Sequence, residues 1–329
     1  MILRHLKQNN ILKNNILYYI GAITVLFCAL LVAGCTNEEE PDPTVVIHIG
    51  AANDTLYPRT NGLLSGLFSI GNGSRVRFAH GNLQYQPSTG KWRLAPNQYD
   101  CIGSANSYVS PTSDYWTDLF VWGSSGCDTN IPPYFVFTDS SDLQIDSFTY
   151  FNISSNYLSP TNQYDWGAFN AIADAGNKAG WLHTLTNVQW GYLLNQRFMA
   201  KEKRGVAEID GIKGYMLLPD SWEIPDGCTF VPDTSNDTLA TPFVNVYNKN
   251  IWQKMEEEGA VFLPFAGRRV GRSVRYLNHK CQYWTASPQS VLWGRIRYAD
   301  LNKKNVAYTE WYYGLAVRLV YYEPDQKKP

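Results

Sequence analysis

One apolar run near the amino terminus limits which part of this chain can enter a folded domain. It extends from Ile16 to Ala33 and follows a segment that carries Arg4, Lys7 and Lys13 and no acidic residue. An apolar run of about 18 residues is long enough to be considered as a membrane-spanning helix. A charged start, an apolar middle and small residues at the end are more typical of an export signal that is later removed. The globular fold must therefore be built from the residues that follow.

The end of this run predicts lipid attachment. Val32-Ala33-Gly34-Cys35 resembles a lipobox, in which small residues precede a cysteine. We expect cleavage before Cys35 and diacylglycerol on its thiol, so that residues 1–34 form a lipoprotein signal peptide. Several acyl chains hold a protein on a membrane more firmly than one chain does. An uncleaved membrane anchor is the alternative, and it would tether the domain as well.

The residues after Cys35 predict a flexible spacer. Residues 36–43 read TNEEEPDP, and a polar, proline-rich chain of this kind cannot bury enough apolar surface to fold. We assign residues 35–62 to the spacer. The run Glu38-Glu39-Glu40 resembles the surface-export signal of Bacteroidota lipoproteins, which implies a lipid-anchored outer-membrane protein exposed at the cell surface. The alternative is a solvated linker that carries no export signal. In that case the side of the outer membrane on which the domain lies, cell surface or periplasm, stays open.

Charge and composition restrict the partners and the fold of the remaining domain. The formal net charge is −1, and loss of the signal peptide makes it more negative, which argues against a nucleic-acid partner. Aromatic residues make up 14% and charged residues 17%, with 25 glycines and 17 prolines. This mix indicates a loop-rich domain packed around aromatic side chains. Residues 63–322 suit one large domain, and residues 323–329 form a polar tail.

Cysteine spacing leaves two interpretations open. The cysteines within the domain are Cys101, Cys127, Cys228 and Cys281. An exported chain permits disulfides, and four cysteines allow three pairings. Isolated buried thiols are the alternative. No two of the four have the CxxC spacing of zinc or redox sites.

Hydrophobic patterns predict an α+β fold. Alternation predicts strands at 75–79, 83–85, 91–94, 214–218, 261–264, 283–287, 291–298 and 315–321. Helical periodicity predicts a helix at 165–175 and another around Trp252 and Met255 that ends at Gly259. Thr186 and Gln189 form a capping box. The helix behind it presents one apolar face, made of Trp190, Leu193, Leu194 and Phe198.

Six segments of the domain match a common pattern. They are FSIGNGSRVRFAHGNLQYQPSTGKWRLAPNQYDCIG, WLHTLTNVQWGYLL, GYMLLPDSW, GAVFLPFAGRR, YWTAS and YYGLAVRLV. Together they resemble Bacteroidota lipoproteins whose domain is related to the Fibrobacter major paralogous domain, over about Leu67 to Val320. The resemblance implies a C-type-lectin-like fold akin to the formylglycine-generating enzymes, with a twisted antiparallel sheet, flanking helices and long loops. Related domains diversified by retroelements vary their carboxyl-terminal strands and loops to bind different ligands.

Two activities of these relatives lack their motifs in this chain. Calcium-dependent sugar-binding lectins use EPN or QPD with WND, and none of these strings occurs. Formylglycine-generating enzymes bind copper through two nearby cysteines, whereas Cys281 is the only cysteine in the carboxyl-terminal third of the domain. Phosphate-binding glycine loops, GxSxG and HExxH are absent as well. We therefore expect no metal, no cofactor and no catalysis.

Residues 292–298 predict a binding face. Strand alternation places Trp293, Arg295 and Arg297 together, and Trp311 and Tyr312 follow on what we expect to be an adjacent loop. Tyr308 and Tyr313 belong to the same loop. Trp, Tyr and Arg are the residues enriched in binding interfaces. In the alternative interpretation Trp293 packs in the core, and the arginines pair with acids such as Asp300 and Glu310.

Other polar residues are expected to be structural. His80 and His183 lack a second ligand at metal-binding spacing. Asp220 and Glu223 flank Trp222 and could form a glycosidase pair, but they lie in a segment that the resemblance treats as scaffold.

Two short motifs predict covalent sugars. Asp54-Thr55-Leu56 and Asp237-Thr238-Leu239 resemble the O-glycosylation sequon of exported Bacteroidota proteins. Thr55 and Thr238 are therefore candidate attachment sites, although so short a motif also occurs by chance.

These expectations describe a cell-surface lipoprotein that binds an extracellular protein or glycan without catalysis. One alternative is a structural component of a surface assembly, such as a pilus or a polysaccharide-uptake complex. Another is an oxidoreductase of the sulfatase-modifying type, which would need a second thiol beside Cys281.

Substitution of Cys35 tests the anchor. Cys35→Ala should abolish palmitate labelling and leave an unprocessed precursor, because the acceptor thiol is lost. Metabolic labelling with gel mobility measures both effects. Normal labelling of the variant would contradict the assignment.

Overall fold

The computed structural model describes residues 61–126, 131–136, 164–234, 243–287, 295–310 and 312–324, with the backbone alone at 295–297. All of these residues belong to one compact unit, Ile47–Pro329. They form mostly antiparallel strands and a few helices, which confirms the α+β class. In these ranges no helix combines the length and apolarity that a membrane crossing needs. The signal peptide, nearly all of the spacer and most of the polar tail lie outside the described residues.

The elements alternate along the chain without a repeat. The strands are Phe68–Gly71 (β1), Ser74–Phe78 (β2), Leu83–Gln86 (β3), Lys91–Leu94 (β4), His183–Thr184 (β5), Arg204–Ile209 (β6), Ile212–Leu217 (β7), Asn245–Tyr247 (β8), Val261–Pro264 (β9), Arg268–Val270 (β10), Ser273–Arg275 (β11), Gln282–Trp284 (β12), Arg295–Asp300 (β13), Asn305–Glu310 (β14) and Leu319–Tyr322 (β15). The α-helices are Trp166–Phe169 (α1), Asn187–Asn195 (α2) and Lys249–Glu257 (α3). Short 3₁₀ helices span Gly103–Tyr108 and Leu301–Lys303.

The described strands form several small sheets instead of one continuous sheet. One has the order β1-β2-β15-β5, a second β8-β6-β7-β9 and a third β12-β13-β14. The pairs β3-β4 and β10-β11 are separate hairpins. Pairing is antiparallel except between β6 and β8. Single bridges, such as Phe120 with Leu315, connect the sheets through the loops.

Aromatic side chains fill three apolar cores within the described residues. In the first core the rings of Trp122 and Tyr164 stack with centroids 3.5 Å apart. Trp190 of α2 is buried in the second core. In the third core Trp252 of α3 meets Phe262 edge to face at 5.5 Å. Because each buried aromatic side chain removes about 150–250 Å² from water, these rings supply much of the apolar burial that the composition indicated.

A buried guanidinium joins the first two sheets. Arg318, the residue before β15, is 1% exposed, and its nitrogen atoms donate to Ala79 O at 3.0 Å, to Phe262 O at 2.7 Å and to Asn82 Oδ1 at 3.0 Å. Phe262 lies in β9, whereas Ala79 follows β2. A charge in the interior is tolerated only when its donors are hydrogen-bonded. The arginine therefore fixes how the sheet of β15 meets the sheet of β9.

The side chains of Asn82, Gln98 and Tyr283 complete this junction. The Tyr283 hydroxyl donates to Asn82 Oδ1 at 3.1 Å. Gln98 Oε1 accepts from Phe262 N at 2.7 Å, and Gln98 Nε2 donates to Ala260 O at 2.9 Å. Asn82 and Gln98 come from the first segment of the common pattern described above, Tyr283 from YWTAS and Arg318 from YYGLAVRLV. The pattern thus corresponds to a structural junction.

Helix α2 confirms the capping box. Thr186 Oγ1 accepts from Gln189 N at 3.2 Å, and Gln189 Oε1 accepts from Thr186 N at 2.8 Å. The predicted apolar face is buried at Trp190, Leu193 and Leu194. Phe198 was wrongly included in that face, because the helix ends at Asn195 and Phe198 is 68% exposed.

Helix α1 is shorter than the predicted helix 165–175. It begins where expected, with the Asp165 carboxylate accepting from a backbone amide of its first turn. It ends at Phe169, and farther along Ala173 N donates to Trp92 O at 3.1 Å. Pairing with β4 therefore outweighed helical periodicity in the second half of the segment.

A polar centre organises the residues that follow β4. Asn106 Nδ2 donates to Asp118 Oδ1 at 2.8 Å, and Asn106 Oδ1 accepts from Thr117 Oγ1 at 2.7 Å. Ile102 N donates to the other carboxylate oxygen of Asp118 at 2.8 Å. Burial raises the pKa of Asp118 to about 6. Side-chain hydrogen bonds therefore hold this segment in addition to its aromatic residues.

Two glycine substitutions test the packing at the junction. A Cβ on Gly81 would lie 2.1 Å from Ala95 O, whereas a Cβ on Gly191 in α2 meets nothing within 4 Å. Gly81→Ala should lower the free energy of unfolding by about 1–3 kcal/mol, because backbone must move. Gly191→Ala should raise it by about 0.5–1 kcal/mol, because alanine loses less entropy in a helix. Urea unfolding measures both, and equal effects would contradict the close approach.

Candidate functional site

The hairpin of β13 and β14 positions the predicted binding residues. Arg295 is paired with Glu310, and Arg297 with Tyr308. Directly paired positions of antiparallel strands lie on the same face of a sheet. We call these positions, 295, 297, 308 and 310, the hairpin face. Tyr308 is 49% exposed, so this part of the face is accessible to solvent.

Tyr308 corrects one expectation. The sequence placed it in a loop beside the arginines, but it lies inside strand β14. Because the strand pairing fixes its register against β13, Tyr308 is held opposite Arg297. The aromatic and basic positions are therefore brought together by backbone hydrogen bonds and not by a loose loop.

The half of the hairpin nearest its turn packs against apolar cores on both faces. Tyr298 and Ala307 belong to or pack on the first core, while Ala299 and Val306 belong to or pack on the second. Asp300, which had been considered as an ion-pair partner of the arginines, accepts from the Tyr298 hydroxyl at 2.8 Å. This half is therefore rigid, and the hairpin face lies toward the open end, around the paired positions 295 and 310.

Tyr312 lies beside a cluster of cations and aromatic rings. It is half-buried against the first core, and its ring meets that of Tyr313 at 5.1 Å. The Arg268 guanidinium lies 4.5 Å from the Tyr313 ring and 5.1 Å from the Tyr276 ring, and Lys280 Nζ lies 4.4 Å from the latter. Sequence reasoning missed this cluster. The high density of basic residues over 268–280, with Tyr276 among them, is the signal that could have indicated it.

Several predicted site residues fall outside the described residues. They are Cys35, Thr55, Cys127, Thr238, Trp293 and Trp311. Lipidation, O-glycosylation and the aromatic part of the binding face consequently stay predictions.

The described cysteines are free thiols. They are Cys101, Cys228 and Cys281, and no disulfide joins them to one another. Cys281 Sγ contacts Leu263 O at 3.3 Å in the second core, whereas Cys228 belongs to the third core. Burial raises the pKa of the Cys281 thiol well above its ordinary value. These three residues follow the isolated-thiol interpretation, and pairings with Cys127 stay open.

The histidines and Asp220 have structural partners. His183 Nδ1 lies 2.8 Å from Asp165 Oδ2, and His80 Nδ1 lies 3.1 Å from Gly62 O. Asp220 Oδ2 accepts from Ser69 N and Ser69 Oγ, both at 2.7 Å. Among the described residues no group of three His, Cys, Asp or Glu side chains could hold a metal ion.

The structure also contains a cleft that the sequence did not predict. A cleft of about 530 Å³ opens beside β4, and residues far apart in the chain line it, among them Arg93, Tyr99, Asp210 and Lys249. No local motif marks it, because its walls come from three separate segments.

Comparison with protein-family models, with curated proteins and with solved structures finds no match in any of the three.

Titration of two histidines tests their environments. The hydrogen bond to Asp165 raises the pKa of His183, and burial lowers that of His80. NMR titration should place the midpoint of His183 above and that of His80 below about 6.5.

The raised pKa of His183 makes its contribution to the free energy of unfolding depend on pH. A raised pKa in the folded state stabilises the protein fully below the unfolded value of about 6.5 and ceases to do so as pH rises through the folded value. The difference in unfolding free energy between the wild type and His183→Gln should therefore shrink on going from pH 6 to pH 8. A difference that grows over this range would contradict the ion pair.

Proposed function

We propose that this chain is a lipid-anchored cell-surface lipoprotein whose domain binds a protein or glycan ligand without catalysis. The carrying observation is the β13–β14 register, which groups Arg295 and Arg297 with the half-exposed Tyr308. Interfaces owe most of their binding energy to a few Tyr, Trp and Arg residues. The proposed ligand is extracellular, and the anchor is the lipid on Cys35 in the outer membrane.

The finer fold assignment is part of the same proposal. We infer a C-type-lectin-like domain related to the Fibrobacter major paralogous domain. This proposal is supported by the Arg318 junction, because the groups that form its hydrogen bonds lie in the segments that carry the resemblance. A rigid junction that supports accessible residues beyond it is the arrangement that suits a binding scaffold.

Tyr308 offers the most direct test of the binding function. An array of extracellular glycans and proteins should first identify a ligand for the full chain. Tyr308→Ala should then weaken binding by about 1–3 kcal/mol, as expected for an interface anchor. Tyr108→Ala is the matched control, because Tyr108 is 72% exposed and lies outside the hairpin face. Equal binding by both variants and the wild type would remove the hairpin face from the proposal.

Trp293 distinguishes a surface face from a core strand. On the binding face, Trp293→Ala should change the free energy of unfolding by no more than about 0.5 kcal/mol. In the core the same change would cost about 3–5 kcal/mol, because it leaves a cavity. Thermal denaturation decides between them without knowledge of the ligand. A large loss of unfolding free energy would place Trp293 in the core. The proposed binding face would then consist of Arg295, Arg297 and Tyr308.

Protease treatment of intact cells tests the location. If the acidic residues after Cys35 direct the protein to the cell surface, added protease should remove the domain from intact cells. Immunoblotting of the cell fraction measures the loss. Cleavage only after lysis of the outer membrane would place the domain in the periplasm.

A further inference from the structure

The cleft beside β4 has the size and the lining of a small-molecule site. Its volume of about 530 Å³ lies within the range of about 300–1,000 Å³ that is usual for ligand pockets. One wall is formed by β4 and the residues after it, and the other by the turn between β6 and β7 and the first residue of α3. It is separate from the hairpin face.

Arg93 is held in place inside this cleft. Its Nε donates to Gln84 Oε1 at 2.9 Å, and Gln84 is 1% exposed. Its guanidinium lies 3.8 Å from the centre of the Trp116 ring. These two contacts fix the plane of the guanidinium before any ligand arrives, which lowers the entropy that binding must overcome.

The two terminal nitrogens of the Arg93 guanidinium can donate hydrogen bonds to an anion. Its two terminal nitrogens have no acceptor within the part of the chain that the structure describes. A guanidinium with both terminal nitrogens available matches a carboxylate through two parallel hydrogen bonds. The first requirement on the ligand is therefore a carboxylate.

The charges around Arg93 limit the ligand to about one negative charge. The cleft is lined by two cations, Arg93 and Lys249, and by two carboxylates, Asp100 and Asp210. Lys249 Nζ lies 3.6 Å from Asp210 Oδ2 and partly neutralises it. A phosphate or a polysulfate would meet like charge here without enough cations to offset it.

The remaining polar groups suit hydroxyls. Asp100 Oδ2 accepts from Asn97 N at 2.9 Å and from Asn97 Nδ2 at 3.0 Å. The other carboxylate oxygen of Asp100 has no donor among the described residues. The Tyr99 hydroxyl is likewise without a partner in the described ranges, and its ring lies 5.6 Å from Lys249 Nζ. Carboxylate oxygens accept from neutral hydroxyl groups, and a tyrosine hydroxyl both donates and accepts.

The one cysteine in the cleft does not indicate covalent chemistry. Cys101 lines the cleft, but burial raises the pKa of its thiol to about 12. The thiol is therefore protonated at neutral pH, and the thiolate is the reactive form. The arrangement favours reversible binding.

We propose that this cleft binds a carboxylated sugar, with the uronate carboxylate on the terminal nitrogens of Arg93 and the ring hydroxyls on Asp100, Asp210 and Tyr99. The site is independent of the hairpin face, so a chain that uses both would contact two ligands or two parts of one glycan.

The test uses the full chain in detergent and galacturonate, a sugar with a single carboxylate, as the probe. Calorimetry should detect binding of galacturonate, and its methyl ester should bind at least about tenfold more weakly, because the ester keeps the hydroxyls but loses the charge. Acetate at the same carboxylate concentration should not displace the sugar. Equal affinity for acid and ester, no binding of either, or full displacement by acetate would each overturn the proposal.

Variants locate the site. Arg93→Lys keeps the charge but loses the paired terminal nitrogens and should weaken galacturonate binding about 10- to 100-fold. Lys249→Gln changes a side chain that is 60% exposed and should weaken binding by a smaller factor. Arg272→Gln is the matched control, since this exposed arginine lies outside the cleft and should leave affinity unchanged. If Tyr308→Ala lowers affinity and neither cleft variant does, the sugar binds at the hairpin face and the cleft proposal fails.

Discussion

The buried guanidinium of Arg318 is the interaction on which the rest of the described structure depends. It donates to a carbonyl after β2, to a carbonyl of β9 and to the side chain of Asn82. No carboxylate is hydrogen-bonded to it among the described residues, so backbone and amide oxygens stabilise its charge. Because these acceptors come from segments far apart in the chain, the guanidinium can be satisfied only when both sheets are in place. Arg269 repeats the arrangement, donating to Leu119 O at 3.0 Å and to Phe135 O at 2.9 Å.

The residues that hold this framework together differ from the residues that are left available for binding. Asn82, Gln98, Tyr283 and Arg318 of the quoted segments are hydrogen-bonded in the junction. The groups left available lie elsewhere, toward the open end of the β13–β14 hairpin and in the cleft beside β4. Both regions combine basic and aromatic residues, which accords with binding and requires no reactive group. The Cys101 thiol, protonated through its raised pKa, is consistent with this view.

Local patterns predicted local structure well and long-range structure poorly. The capping box at Thr186 and the strand at 261–264 were predicted correctly, because neighbouring residues determine them. The second half of the helix predicted at 165–175 was lost to pairing with β4, which the sequence of that segment does not reveal. The burial of Arg318 could not be anticipated either, since arginine is ordinarily exposed. The cleft was missed for a similar reason, because Arg93 and Lys249 become neighbours only through the fold. The pairing of Tyr308 with Arg297 depends on a strand that the periodicity did not indicate.

The free energy of unfolding of Arg318→Met, measured in urea beside Arg272→Met, tests the dependence on the junction most directly. Methionine fills similar space but leaves the carbonyls of Ala79 and Phe262 without the donor that Arg318 supplies, and Asn82 Oδ1 keeps only the Tyr283 hydroxyl. If this guanidinium holds the two sheets together, Arg318→Met should lower the free energy of unfolding by about 3–5 kcal/mol. The exposed control should change it by no more than about 0.5 kcal/mol. Equal stability of the two variants would show that the sheets meet without the arginine and would contradict this role.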